Sequence, residues 1–236
     1  MGTQERKARE KARVRRQILD AARQLFTEHG YEAVTMRRIA EKVEYTPTTL
    51  YLYFENKTAL LQELSDLDAL ALAQHFQKLR RLPDLIERLY RIGEEYVRFA
   101  LRHPSQYRLI FMTPAPPQPP EKSANRKGDP DEDPYAVLTQ AVEEAIAAGL
   151  LRPELKDVEM VAQVFWSGTH GIISLFFTKQ NDPWIDWRPL RPTAQLTITT
   201  TLRGLLRNPD QADALTFRRG SKGTCPRHRG RNHKPR

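Results

Sequence analysis

Thr35-Met-Arg-Arg-Ile-Ala-Glu-Lys-Val-Glu-Tyr-Thr-Pro-Thr-Thr-Leu-Tyr-Leu-Tyr-Phe54 is the stretch whose reading decides the fold. Ile39, Ala40, Val43, Leu50 and Phe54 recur at helical spacing, on faces that can pack against one another. Thr35 is placed to cap one short helix. Thr46 is placed to cap a second, with Pro47 at the first helical position, where its missing N–H costs nothing. This second helix reads to about Phe54. Two short helices joined by a tight turn form a helix-turn-helix, which sets its second helix into a DNA major groove. Thr46, Pro47, Thr48 and Thr49 are short enough to approach a groove wall, and Tyr51, Tyr53 and Lys57 follow them. Arg37 has the reach for a guanine edge or a phosphate. Arg37, Thr46, Pro47, Thr48, Tyr51, Tyr53 and Lys57 are therefore candidate phosphate and base-edge partners. Both tyrosines also fit a core role, and Arg38, Glu41 and Lys42 read as solvated surface.

Working outward, the pattern stays helical. Val14, Ile18, Ala21, Ala22, Leu25 and Phe26 form the apolar face of a helix that stops at Gly30. Asn56 can cap a fourth helix reaching about Arg81, and further helices read at about 83–102, 104–112, 134–149, 157–179 and 190–207. The fold class is all-α. Residues 113–134, crowded with proline and charge, read as a flexible loop, and 208–236 as a basic disordered tail.

The formal net charge of +9 favours a polyanionic partner, and most of the excess sits at the two ends. Arg6, Lys7, Arg9, Lys11, Arg13, Arg15 and Arg16 crowd the first segment, and eight Lys and Arg residues between Arg218 and Arg236 crowd the last. Such ends suit either a sequence-specific regulator or a nonspecific architectural DNA-binding protein. No signal peptide is visible, no apolar run approaches the ~18 residues that span a bilayer, and the lone Cys225 cannot form an internal disulfide. These features point to the cytoplasm and to no membrane partner. Cys225, His228 and His233 have a spacing that permits soft-metal binding, but three ligands among arginines read better as a solvated tail, so no metal and no cofactor is expected. No Gly-rich phosphate loop, Ser/His/Asp context or paired metal-ligand helix stands out, so no catalytic residues and no enzyme activity are expected. Glu94-Glu95 and Glu143-Glu144 read as surface carboxylates.

The run from Thr35 to Leu61, above all Thr49-Leu-Tyr-Leu-Tyr-Phe-Glu-Asn-Lys57, resembles the TetR family signature, as do Ile18–Phe26 and Gly30-Tyr31. The resemblance covers residues 12–72. It implies a homodimeric transcription regulator whose two recognition helices read a near-palindromic operator in double-stranded DNA, and by position it makes Thr35, Arg37, Pro47, Thr48, Tyr51, Tyr53 and Lys57 the expected DNA contacts. The expected function is repression released by a small-molecule effector. Two departures stand out. The family usually carries Gly where this chain has Glu44, and a positive φ there is unfavourable for glutamate. The family often has Gly where this chain has Thr48, so base preference is not carried over.

The C-terminal half resembles a subgroup with a Trp…His-Gly motif, carried here by Trp166, His170 and Gly171. That implies a regulatory domain at 73–207 with a ligand pocket inside the bundle and dimerisation through the last two helices. Phe111, Phe165, Trp166 and His170 are the candidate ligand contacts, and Phe99, Tyr107 and Phe176 could join an apolar cavity. His170 has a second reading, as a hydrogen-bonded core histidine beside Gly168 and Gly171.

Overall fold

The computed structural model describes residues 2–114 and 123–213. Within them the chain forms α1 (Thr3–His29), α2 (Met36–Lys42), α3 (Pro47–Tyr51), α4 (Lys57–Phe76), α5 (Leu85–Arg102), α6 (Pro104–Met112), α7 (Pro134–Ala147), α8 (Val158–Lys179) and α9 (Leu190–Leu205). A 3-10 turn, Leu79–Arg81, joins α4 to α5. The only pairing of extended backbone among the described residues is an isolated antiparallel bridge between Leu151 and Leu206.

Local chemistry explains where these helices begin and end. Thr35, Thr46, Asn56, Asp84, Asp133 and Asp157 each accept a backbone N–H of the helix they open, a contact worth about 1 kcal/mol apiece. Gly30, at φ 77°, closes α1 with its N–H on the Phe26 carbonyl. Helix α3 is shorter than its sequence suggests and ends at Tyr51. Tyr53 N–H turns onto the Leu50 carbonyl at 2.9 Å, tightening the backbone so that Phe54 tucks into the core. Helix α4 likewise ends at Phe76 rather than near Arg81.

Two cores divide the molecule. Ile18, Phe26, Val34, Ile39, Leu50 and Leu60 lie in the first, built from α1–α3 and the start of α4. Tyr90, Phe99, Tyr107, Phe165, Ile173 and Ile198 lie in the second, built from α5–α9 and the end of α4. Two elements enter both. Helix α4 places Leu60, Leu61 and Leu64 in the first core and Leu72 and Phe76 in the second, and α6 contributes Leu109 to the first and Tyr107 to the second. At the junction, Asp68 of α4 is 1% exposed, ion-paired to Arg23 of α1, and accepts Gln106 Nε2 of α6 at 2.8 Å.

Several readings of the sequence need correction. Residues 123–133 of the segment read as a flexible loop form turns fastened to α4: Ser123 Oγ and Ala124 N–H donate to the Asp66 carboxylate at 2.7 and 2.9 Å, and Asn125 Nδ2 donates to the Asp66 carbonyl at 2.7 Å. The basic tail does not begin at 208, because Ala212 is fully buried and Asp213 pairs with Arg203 at 2.9 Å. Residues 214–236, with Cys225, His228 and His233, lie outside the described residues. Glu94 and Glu95 are not surface groups. Glu94 takes Arg91 at 2.9 Å and Gln195 Nε2 at 2.9 Å, while Glu95 pairs with Arg98 and lies 3.1 Å from His75. Finally, α8 is long and apolar enough to cross a membrane, contrary to the sequence reading. Here its Val161, Ala162, Phe165 and Ile173 are buried in the second core.

Candidate DNA interface and ligand cavity

The helix-turn-helix has a buried side and an open side. Leu50 of α3 is fully buried, whereas Pro47, Thr48, Tyr51 and Leu52 are exposed on the opposite face, Tyr51 by 54% and Leu52 by 76%. Neighbouring exposed apolar groups such as these form a contact surface when they are contiguous. Arg37, in the first turn of α2, is also exposed and is held by Glu41 at 3.0 Å. The Thr35 and Thr46 oxygens accept the capping N–H groups. Thr46 also meets the Thr49 hydroxyl at 2.9 Å.

The structure separates these residues from two others expected beside them. Lys57 Nζ donates to the Tyr31 carbonyl at 2.8 Å and lies 3.9 Å from the centre of the Tyr31 ring, so its ammonium is used inside the domain. Tyr53 is half-buried against the first core. A third cation is also internal. Arg15 donates to Glu63 and to the Tyr53 carbonyl, both at 2.8 Å, and sits 4.4 Å above the Phe54 ring. It clasps α1 to the end of α3 and the start of α4, and is lost to the basic cluster counted from the sequence.

Glu44 adopts φ 60° between α2 and α3, so the turn is not reshaped to avoid a positive φ. The turn keeps its left-handed residue without a glycine. Glu44 N–H bonds to the Glu41 carbonyl at 3.2 Å and Tyr45 N–H to the Ala40 carbonyl at 3.0 Å, and these bonds hold the strained backbone in place.

A cavity of about 330 Å³ lies in the second core, within the size range of small-molecule sites. Its wall includes Phe76 of α4, Tyr96 of α5, Phe111 of α6, Leu138 of α7, and Phe165 and Trp166 of α8. Phe111, Phe165 and Trp166 were anticipated, whereas His170, Phe99, Tyr107 and Phe176 are not part of the wall. Tyr96 and the α4 residues were missed, since no local pattern marks a residue whose neighbours come from distant helices. Gly93 lets α5 come close, because a Cβ there would meet Ile198 Cδ1 at 2.9 Å and Phe165 Cζ at 3.3 Å.

Behind the wall runs a directed chain of hydrogen bonds. Trp166 Nε1 donates to the Tyr96 hydroxyl at 3.0 Å, which donates to the Tyr107 hydroxyl at 3.3 Å. Both hydroxyls point at His170 Nδ1, Tyr107 at 2.7 Å and Tyr96 at 3.2 Å. Nδ1 has one lone pair, so the nearer Tyr107 takes it and His170 carries its proton on Nε2. Burial lowers the His170 pKa and favours this neutral form. Burial also raises both phenols, Tyr96 to about 12, so neither ionises at neutral pH.

Known proteins resemble both halves. Residues 18–64 match the family described as bacterial regulatory proteins, tetR family, and residues 89–212, just over half of the chain, match the tetracyclin repressor-like C-terminal domain. The HTH-type transcriptional repressor KstR of Rhodococcus jostii is 42% identical over 65 residues, 28% of this chain and 27% of that protein. The matches to the first curated relatives thus span only about a quarter to a third of their length. Among solved structures, the regulator FadR of Bacillus subtilis in complex with stearoyl-CoA aligns with a TM-score of 0.64 at 16% identity, covering 80% of this chain and 97% of that one. The ketosteroid transcriptional regulator KstR2 of Mycobacterium tuberculosis aligns with a TM-score of 0.57 at 20% identity, covering 82% and 95%. At these identities the structural likeness establishes the fold alone.

Proposed function

Because the chain belongs to the TetR family of bacterial regulatory proteins, we propose that it is a sequence-specific DNA-binding transcription regulator, a repressor whose grip is released by a small molecule in the α4–α8 cavity. One observation carries the DNA reading: Pro47, Thr48, Tyr51 and Leu52 stand exposed on α3 beside an exposed Arg37, over a fully buried Leu50. That surface suits base edges and thymine methyls in a major groove, with Thr35 and Arg37 on the flanking phosphates or a guanine. The inward ties of Arg15 and Lys57 weigh against a protein held to DNA by charge alone.

The release follows from α4. It runs from the first core to the cavity, so a ligand against Phe76 acts on the element that carries the DNA-binding half. A ligand that prefers a different α4 position shifts the population away from the DNA-competent state, and by linkage ligand and DNA weaken each other by the same factor. The cavity wall, made mostly of aliphatic and aromatic side chains, supports an apolar occupant here.

A homodimer places two copies of α3 on successive grooves of a near-palindrome. Met160, Val164 and Leu175 of α8 and Leu196 of α9 are exposed, an apolar outer face suited to a second copy across a two-fold axis. The domain division proposed is 12–72 for DNA binding and 73–207 for ligand and dimer contacts, with 208–213 now added to the latter.

A competition gel shift tests the DNA reading. DNA from the chain's own upstream region should outcompete random DNA, and Thr48→Ala should change which sequences are preferred. Equal competition by random DNA at every salt concentration would leave only the nonspecific, charge-driven binder.

A further inference from the structure

Among the described residues, the cavity wall is built without a charge. None of its residues carries a carboxylate, ammonium or guanidinium, and the glutamine, threonine and two tyrosines among them are neutral. Most of its polar groups are already engaged: Thr169 Oγ1 donates to the Phe165 carbonyl at 3.2 Å, and Tyr135 Oη donates to Glu159 at 2.8 Å, away on the exposed side. An ion entering such a wall loses its hydration and finds no counter-charge.

The Tyr96 hydroxyl is different. Tyr96 is a wall residue whose hydroxyl accepts from Trp166, and the bond it donates, 3.3 Å to Tyr107, is the longest in the hydrogen-bond chain. Its proton is the one most easily redirected, because Tyr107 keeps its own 2.7 Å bond to His170 when the Tyr96 donation is withdrawn.

Resting on the regulatory reading of this cavity given above, we infer that its ligand is an uncharged, mostly hydrocarbon molecule with one acceptor oxygen, such as a ketone, ester or ether, that takes the Tyr96 O–H in place of Tyr107. The exchange removes the hydrogen bond between Tyr107 and α5 and leaves the two tyrosine rings in edge contact at 5.4 Å. Tyr107 stands on α6, two residues from Leu109, which is buried in the first core, so the exchange loosens a tie between the cavity and the DNA-binding half. The inference excludes two classes that charge-blind apolar burial would admit, amphiphilic cations and free carboxylates.

The test uses the full chain without DNA and four probes of one shape: para-butylacetophenone, butylbenzene, para-butylbenzoate and para-butylbenzylamine. Calorimetry or tryptophan fluorescence gives each Kd. The ketone takes up a bond that Tyr107 gives up, so it and the hydrocarbon should bind within about threefold of each other, and both ions at least about tenfold more weakly than the ketone. In Tyr96→Phe no hydroxyl meets the carbonyl, so the ketone should weaken roughly two- to tenfold relative to the hydrocarbon. An ion that binds as tightly as the ketone, a ketone-to-hydrocarbon ratio unchanged in Tyr96→Phe, or failure of all four probes overturns the inference. The charge comparison needs only the wild-type chain, so it stands even if the variant does not fold. A gel shift with and without the ketone separates this from the regulatory reading: ketone binding with unchanged DNA affinity supports the ligand class and defeats release by the ligand.

Discussion

At the scale of single residues, conformational strain and protonation can each be put to a number. Glu44 holds φ 60°, which disfavours an L side chain by about 1–2 kcal/mol, while a glycine loses about 0.5–1 kcal/mol of backbone entropy on folding. Glu44→Gly should therefore stabilise the chain by about 0.5–1 kcal/mol, read as a higher urea midpoint at unchanged slope. No gain would mean that Glu44 makes a compensating contact. His170 gives a pH prediction. Burial lowers its folded pKa below the usual 6.5, so in acid the unfolded chain binds a proton that the folded chain refuses. Its contribution to stability is complete above about pH 6.5 and is lost as the pH falls below that value toward the folded pKa. In His170→Asn the thermal midpoint should fall less between pH 7.5 and 5 than in the wild type, where Tyr96 and Tyr107 supply no counter-charge; parallel curves would exclude His170 as the titrating group. The residues most legible in sequence were the local ones. Thr35, Thr46, Asn56 and Gly30 act on backbone within three or four positions, and each was found where its spacing put it. The inward ties of Lys57 and Arg15 could not be read locally, because their partners, Tyr31 and Glu63, are 26 and 48 residues away.

At the scale of elements, α4 is the structural link between the two cores, and Asp68 is its most exposed weakness in energetic terms. Its carboxylate is buried, neutralised by Arg23 of α1 and hydrogen-bonded by Gln106 of α6. Removing one partner of such a buried pair typically costs about 3–5 kcal/mol, because the other charge is left without compensation. Asp68→Ala and Arg23→Ala should each lower stability by that order, and the double variant by less than their sum, a coupling visible in a double-mutant cycle. Additive losses would show that the pair does not link α1 to α4. The helices themselves were readable from periodicity to within a few residues, apart from the ends of α3 and α4. The cavity was readable only in part. Trp166 came from the resembled Trp…His-Gly motif and Phe165 from the aromatic residues able to line a cavity, but Tyr96 and Phe76 join them only through the packing of α4, α5 and α8. Residues 123–133 were misread for a related reason: proline and charge disfavour helix, but they do not prevent turns from docking on a carboxylate such as Asp66.

At the scale of the whole molecule, general attraction and specific recognition should be separable, because they reside in different parts of the chain. The α3 face is mostly uncharged, whereas residues 214–236 hold eight Lys and Arg. Each phosphate contact made by such a segment steepens the dependence of log K on log salt by about 0.9. Where the chain is cut then decides what the experiment measures. A truncation after Asp213 keeps the buried Ala212 and the Arg203–Asp213 pair, so the thermal midpoint should stay close to that of the full chain. A truncation after Arg207 removes both and should lower it, mixing stability with charge. For the chain ending at Asp213, DNA binding at low salt should weaken for every sequence and the salt slope should become shallower. The ratio of affinities for the chain's upstream DNA over random DNA should stay the same. A ratio that collapses on removing 214–236 would move sequence recognition away from α3 and into the basic segment.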